Sequence, residues 1–171
     1  MGGGQLDIDQ CSRLVSIYDS TITNGPSGPG GLWVGGIEAY GTDLYFTDNR
    51  ITYNSGHGIC LTGAQNASVS NVAGTYTSNN SVGCFYCNGI FITNMSGFRS
   101  SGSITINQAT AINGQYYGVS ADGAGTPISN LIITNNCVSG NRAPGGGGVF
   151  VTAGTLGTGS NVSGNRTSGC P

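Results

Sequence analysis

Few side chains in this chain could do chemistry: it holds seven acidic residues, five arginines, one histidine and no lysine. Glycoside hydrolysis needs two carboxyl groups, about 5 Å apart for retention and roughly 6.5–9.5 Å apart for inversion. Asp19 and Asp48 are the pair best placed for it, because they end two similar segments and would sit about 5 Å apart if those segments stacked. The equivalent place in later segments is taken by Asn71, Asn94, Gln108 and Asn135, so the pair reads first as structural. Asp7 and Asp9 share one face of a strand, while Glu38 and Asp122 stand in loops. No residue is assigned a catalytic role, and enzymatic activity is left open.

His57-x2-Cys60 followed by Cys84-x2-Cys87 has the ligand spacing of a zinc site. Residues three apart on a strand point to opposite faces, however, so only a bend would gather all four. Disulfides between coils, or buried thiols, explain the cysteines better, and neither a metal nor another cofactor is expected. The pairing of the six cysteines is open.

A third set is aromatic. Tetrads of the form glycine, apolar, any residue, apolar occur at Gly31–Val34, Gly58–Leu61, Gly83–Tyr86, Gly118–Ala121 and Gly148–Val151, with a looser copy at Gly4–Ile8. Their third positions are Trp33, Cys60, Phe85, Ser120 and Phe150, preceded by Asp7. Stacked, they form a stripe, and Asp7, Trp33, Phe85 and Phe150 are the expected binding residues. Exposed aromatic faces beside small polar groups suit a sugar ring or a protein partner.

The elements that hold these residues must be strands. Gly (32), Ser (19), Thr (17) and Asn (17) make up half of the 171 residues, with a single Glu and seven Leu. No segment can build an amphipathic helix with a charged outer face. Yet 37% of residues are hydrophobic and mean hydropathy is near zero, too apolar for a disordered chain. The net charge of −2 is scattered, which argues against a nucleic-acid partner and against an anionic membrane surface. No apolar run approaches the roughly 20 residues of a membrane-spanning helix, so no membrane insertion is expected.

A second segment type alternates: Val15–Asn24, Leu44–Asn54, Ile90–Asn94, Ile104–Gln108 and Leu131–Asn141. Its period is two, with Val15/Ile17, Leu44/Phe46, Ile104/Ile106 and Leu131/Ile133 on one face and Ser16, Tyr45, Thr105 and Ile132 on the other. Copies recur in the same sense about every 24 to 30 residues, which predicts parallel coils stacked on one another. About seven rungs at roughly 4.8 Å each are expected, with Ile92 to Ile106 too short for a full coil. Two polar ladders should line the turns, one through Asp19, Asp48, Asn71, Asn94, Gln108 and Asn135, the other through Asn24, Asn54, Asn79, Asn113, Asn141 and Asn165.

The repeats and ladders together resemble the right-handed parallel β-helix superfamily, which includes pectate lyases, polygalacturonases and phage tailspikes. Ser20–Asn24 with Gly30–Val34, and Val138–Asn141 with Gly146–Val151, are also similar to repeats of polymorphic outer-membrane-type passengers. The resemblance implies an all-β, right-handed parallel β-helix over residues 1–171, a single domain and a fragment or subunit of a longer assembly. Pectate-lyase chemistry would want an acidic calcium cluster and a basic residue; Arg13, Arg50 and Arg99 are present, but the acidic cluster and lysine are not. Of a polygalacturonase-like set only Gly56-His57-Gly58 occurs.

The expected function is therefore a rigid module, extracellular, on a cell surface or on a virion, presenting a flank to a polysaccharide, a cell-surface glycan or a partner. A homo-oligomer, trimer or filament, is among the assemblies open to it. Five Asn-x-Ser/Thr sequons and the six cysteines agree with an oxidising compartment. The enzymatic alternative is a polysaccharide lyase or glycoside hydrolase. A third alternative is ice binding, from the Thr21/Thr23, Arg50/Thr52, Thr75/Thr77 and Cys137/Ser139 pairs.

Overall fold

A computed structural model describes residues 6–8, 12–23, 34–39, 41–70, 76–78, 87–94, 100–144 and 147–170. The first turn of the coil carries β1 (Leu6–Ile8), β2 (Arg13–Tyr18) and β3 (Thr21–Thr23); the second carries β4 (Val34–Ala39), β5 (Thr42–Thr47) and β6 (Arg50–Thr52). β7 (His57–Thr62), β8 (Gln65–Ser70) and β9 (Tyr76–Ser78) make the third turn, and β10 (Ile90–Thr93), β11 (Ser101–Asn107) and β12 (Thr110–Ile112) the fourth. Two further levels follow with two strands each: β13 (Val119–Asp122) with β14 (Leu131–Thr134), then β15 (Val149–Val151) with β16 (Asn161–Ser163). On their third side only the parallel bridges Thr110–Cys137 and Cys137–Arg166 remain.

Each strand pairs in parallel with its counterpart one turn away, giving three sheets ordered β1-β4-β7-β10-β13-β15, β2-β5-β8-β11-β14-β16 and β3-β6-β9-β12. Among the described residues the coil thus has four full turns and two partial levels, against the expected seven or so rungs. Ile90–Asn94, expected among the alternating second-sheet segments, instead forms β10 in the first sheet, paired with Ile59–Thr62 and Val119–Asp122. That placement removes the short interval between Ile92 and Ile106, which lie on different sheets.

Alternation decides which residues fill the coil. In the second sheet Leu44, Ala67, Ile104 and Leu131 stack in one inward column and Phe46, Val69, Ile106 and Ile133 in the next, all buried. Ile37, Ile59, Ile90 and Val119 face them from the first sheet, and Ile22 and Ile51 from the third. Burying side chains of this size stabilises by about 1.5–3 kcal/mol each, and it is what closes the coil.

The corner between the second and third sheets shows how the turns are satisfied. Asp19, Asp48, Gln108 and Asn135 hold it with φ of 48°, 57°, 57° and 57°, the left-handed region that short polar side chains tolerate. The buried ladder runs one residue later. Asn49 accepts the Ser20 N–H (3.1 Å) and donates to the Ile17 carbonyl (2.8 Å). Asn136 does the same for the Ala109 N–H (2.8 Å) and the Ile106 carbonyl (3.0 Å).

Asn165, expected in the second ladder, belongs to this one. Asn94 belongs to neither ladder: it follows β10, donating to the Thr126 carbonyl (3.3 Å) and accepting the Ser100 N–H (2.6 Å). At the corner after the third sheet, Asn54 and Asn141 take equivalent places three turns apart, donating to the Ile22 (3.3 Å) and Ala111 (3.0 Å) carbonyls of the preceding turn, with Gly114 at the equivalent place between them. Asn113 sits one place earlier, exposed at φ 58°. Asn24, Asn71 and Asn79 lie outside the described residues.

Candidate functional site

The register of the first sheet assembles the expected stripe with two changes of membership. Asp7, Glu38, Cys60, Phe91, Ser120 and Phe150 occupy successive positions of one column. Asp7 and Phe150 are in place, whereas Trp33 and Phe85 lie outside the described residues and Glu38 and Phe91 hold the positions expected for them. The reason is steric. A Cβ on Gly36 would collide with the Gly58 carbonyl, and one on Gly89 would lie 2.6 Å from the Gly118 carbonyl. These two glycines therefore lead their strands where Gly31 and Gly83 were expected to.

Much of the stripe is covered. Cys60 and Ser120 are only 4% and 5% exposed although they alternate with core residues. The His57 ring stacks on Phe91 with centroids 4.7 Å apart, and Asn88 links the neighbourhood. Its backbone N–H donates to His57 Nδ1 (2.8 Å), its side-chain amide donates to Ser120 Oγ (3.1 Å), and its Oδ1 accepts the Tyr117 N–H (3.0 Å). Burial drives the His57 pKa down to about 3, partly opposed by the Asn88 backbone bond. The ring is therefore neutral with its proton on Nε2, and near pH 7 it has little basicity to offer a proton-transfer step.

Among the described side chains of this column the most open is Phe150, at its last level. Phe150 is 44% exposed and stacks on Tyr117, centroids 4.7 Å apart and planes 8° from parallel, with Tyr116 edge-on to Tyr117 at 4.8 Å. Desolvation, followed by the neighbouring Tyr116, raises the Tyr117 pKa, so the plate carries no charge at neutral pH.

Among the described carboxylates, Asp7 and Glu38 are register partners on adjacent turns, with Glu38 in β4 and Asp122 at the end of β13 where loops were expected. Asp19 and Asp48 occupy equivalent left-handed corners shared with Gln108 and Asn135. Asp122 Oδ1 accepts the Ala124 N–H (2.9 Å) within a turn, and Asp43 Oδ1 accepts from Asn66 Nδ2 (3.0 Å). Asp9 lies outside the described residues. Among the described residues no three His, Cys, Asp or Glu side chains gather as a metal site. Cys87 is disulfide-bonded and supplies no thiolate, Cys60 is a buried thiol, and Cys137 is bonded to Cys170.

The threonine array is broken as well. Thr77 faces the core between Ile51 and Ala111, Thr52 is buried, and the outer columns read Thr21, Arg50, Tyr76, Thr110 and Thr23, Thr52, Ser78, Ile112. Thr75 lies outside the described residues, and among those described no flat exposed plane of threonines results.

One feature escaped the sequence reading. On the outer face of the second sheet, Ser16, Tyr45, Ser68, Thr105 and Ile132 form a column. The small Ser68 beside Tyr45 leaves a hollow of about 180 Å³ lined by Tyr45, Asn66, Ala67, Ser68, Ser103 and Thr105. Alternation already turned Tyr45 outward, but the depth depends on residues contributed by neighbouring turns.

No curated protein and no solved structure gives a significant match to the chain. The family model described as a right-handed beta helix region does match, over residues 2–170. With three parallel sheets wound as successive turns and asparagines bridging them, the chain belongs to the right-handed β-helix family.

Proposed function

We propose that this rigid β-solenoid works outside the cell, on a cell surface or on a virion, and binds glycans along its first-sheet flank. The observation that carries the reading is the Tyr117–Phe150 stack, two parallel, overlapping rings held on adjacent turns, of which Phe150 is 44% exposed. The open side of the Phe150 ring takes the C–H face of a sugar, and because Tyr117 already backs it, little ordering opposes binding. Parallel pairing of every level to the next makes the support stiff. Glycan-array binding of the wild type against a Tyr117→Ala, Phe150→Ala double variant tests it. Binding reduced at least about tenfold in the variant is expected; unchanged binding, or none by either protein, would overturn the reading.

A further inference from the structure

We propose that the hollow beside Tyr45 is a separate subsite for one neutral hexopyranose unit. The inference rests on the glycan reading but on different residues, a different sheet and a narrower ligand. Tyr45 is 42% exposed and forms one wall; Thr105 lies two strands away in the same column, a span of about 10 Å, and Ser68 lies between them. The opening is therefore one sugar ring long, with an aromatic surface for the apolar face of the ring. At about 180 Å³ it is smaller than the roughly 300–1,000 Å³ of pockets that enclose drug-sized ligands.

The polar groups at the rim are fixed before any ligand arrives. Asn66 is held from both sides, its Nδ2 donating to Asp43 Oδ1 (3.0 Å) and its Oδ1 accepting the Ser103 N–H (3.2 Å). Asn66 itself sits at φ 51°, in the left-handed region that asparagine tolerates. Ser103 Oγ and Thr105 Oγ1 are paired at 3.3 Å. This set offers hydroxyl donors and acceptors in one patch, the complement of a polyol. Charge narrows the ligand. Among the described residues no cationic side chain lines the hollow, and Asn66 at its rim donates to the Asp43 carboxylate. A uronate carboxylate would meet only like charge there, so the ligand is a neutral unit.

Isothermal titration of neutral di- and trisaccharides of glucose, mannose and galactose, with digalacturonate alongside, tests the subsite. Ser68→Tyr fills the hollow from an outward strand position that favours aromatics, and Tyr45→Ala removes its wall. A neutral sugar that binds the wild type and Phe150→Ala equally, and both hollow variants at least about tenfold more weakly, supports the proposal. Preference for digalacturonate overturns it, as does undiminished binding by Ser68→Tyr. Loss confined to Tyr117→Ala, Phe150→Ala overturns the subsite and leaves the first-sheet plate standing. Absence of binding by any of these sugars overturns the subsite, and glycan-array binding then decides the plate alone.

Discussion

Asn165 Oδ1 accepts two hydrogen bonds from Asn136 on the preceding turn, one from its backbone N–H (3.0 Å) and one from its Nδ2 (2.8 Å). Asn136 treats the turn before it similarly, through Ala109 and Ile106. The buried corner thus hands its polar groups from level to level, so that one buried side chain satisfies two backbone groups.

Replacing Asn136 with Ala strands the Ala109 N–H in the interior and takes a side-chain donor from the Ile106 carbonyl, which keeps its place in the β11–β14 ladder. An unsatisfied buried group costs about 1–3 kcal/mol, so a loss of that order is expected in urea unfolding. Asn161→Ala, at an exposed strand position, should stay within about 0.5 kcal/mol. Equal effects at the two sites would remove the ladder from any account of stability.

The coil itself was legible because alternation and same-sense repetition leave few alternatives, and Leu44/Phe46 or Leu131/Ile133 point where the pattern puts them. Register was harder. First-sheet and second-sheet strands share the same period, so Ile90–Thr93 fits either, and only the close approach of Gly89 to the Gly118 carbonyl separates them. The buried ladder fell one residue off because Asp19, Asp48, Gln108 and Asn135 are as polar as the asparagines behind them, and which residue points inward depends on a left-handed φ. The hollow beside Tyr45 was illegible for another reason: Tyr45, Ser68 and Thr105 come from three different turns of the coil.

Thr77 Oγ1 is buried without a hydrogen-bond partner, in the core-facing column of Ile22, Ile51 and Ala111. Thr77→Val keeps the β-branched shape and removes the unsatisfied hydroxyl. A gain of about 1–3 kcal/mol is expected, raising Tm by roughly 2–4 °C per kcal/mol for a chain of this size. A lower Tm in calorimetry would show that the hydroxyl is satisfied in solution.

The Cys137–Cys170 bond spans 33 residues and ties Cys170 to the third side one level before Arg166. Loop-closure entropy for that length corresponds to about 3–4 kcal/mol. A Cys137→Ala, Cys170→Ala double variant should lose stability of that order in urea. Amide exchange should accelerate around Val162 and Arg166 first, with β5 and β8 protected; uniform acceleration over all turns would count against local stapling.

His57 gives stability a pH dependence with a defined sign. Its pKa is about 3 in the folded chain and 6.5 when unfolded, because burial disfavours the imidazolium. Above pH 6.5 the ring is neutral in both states and the fold suffers nothing. As pH falls from 6.5 toward 3, the unfolded chain takes up a proton that the folded one refuses, and stability drops by up to about 1.4 kcal/mol per pH unit. Over the whole window the loss is of order 5 kcal/mol. His57→Gln keeps an acceptor for the Asn88 N–H and has nothing to titrate. The difference in urea-unfolding free energy between variant and wild type should therefore shift in favour of the variant between pH 6.5 and 3 and stay flat above. A difference that is constant across that range would mean that His57 reaches solvent or finds a carboxylate when protonated.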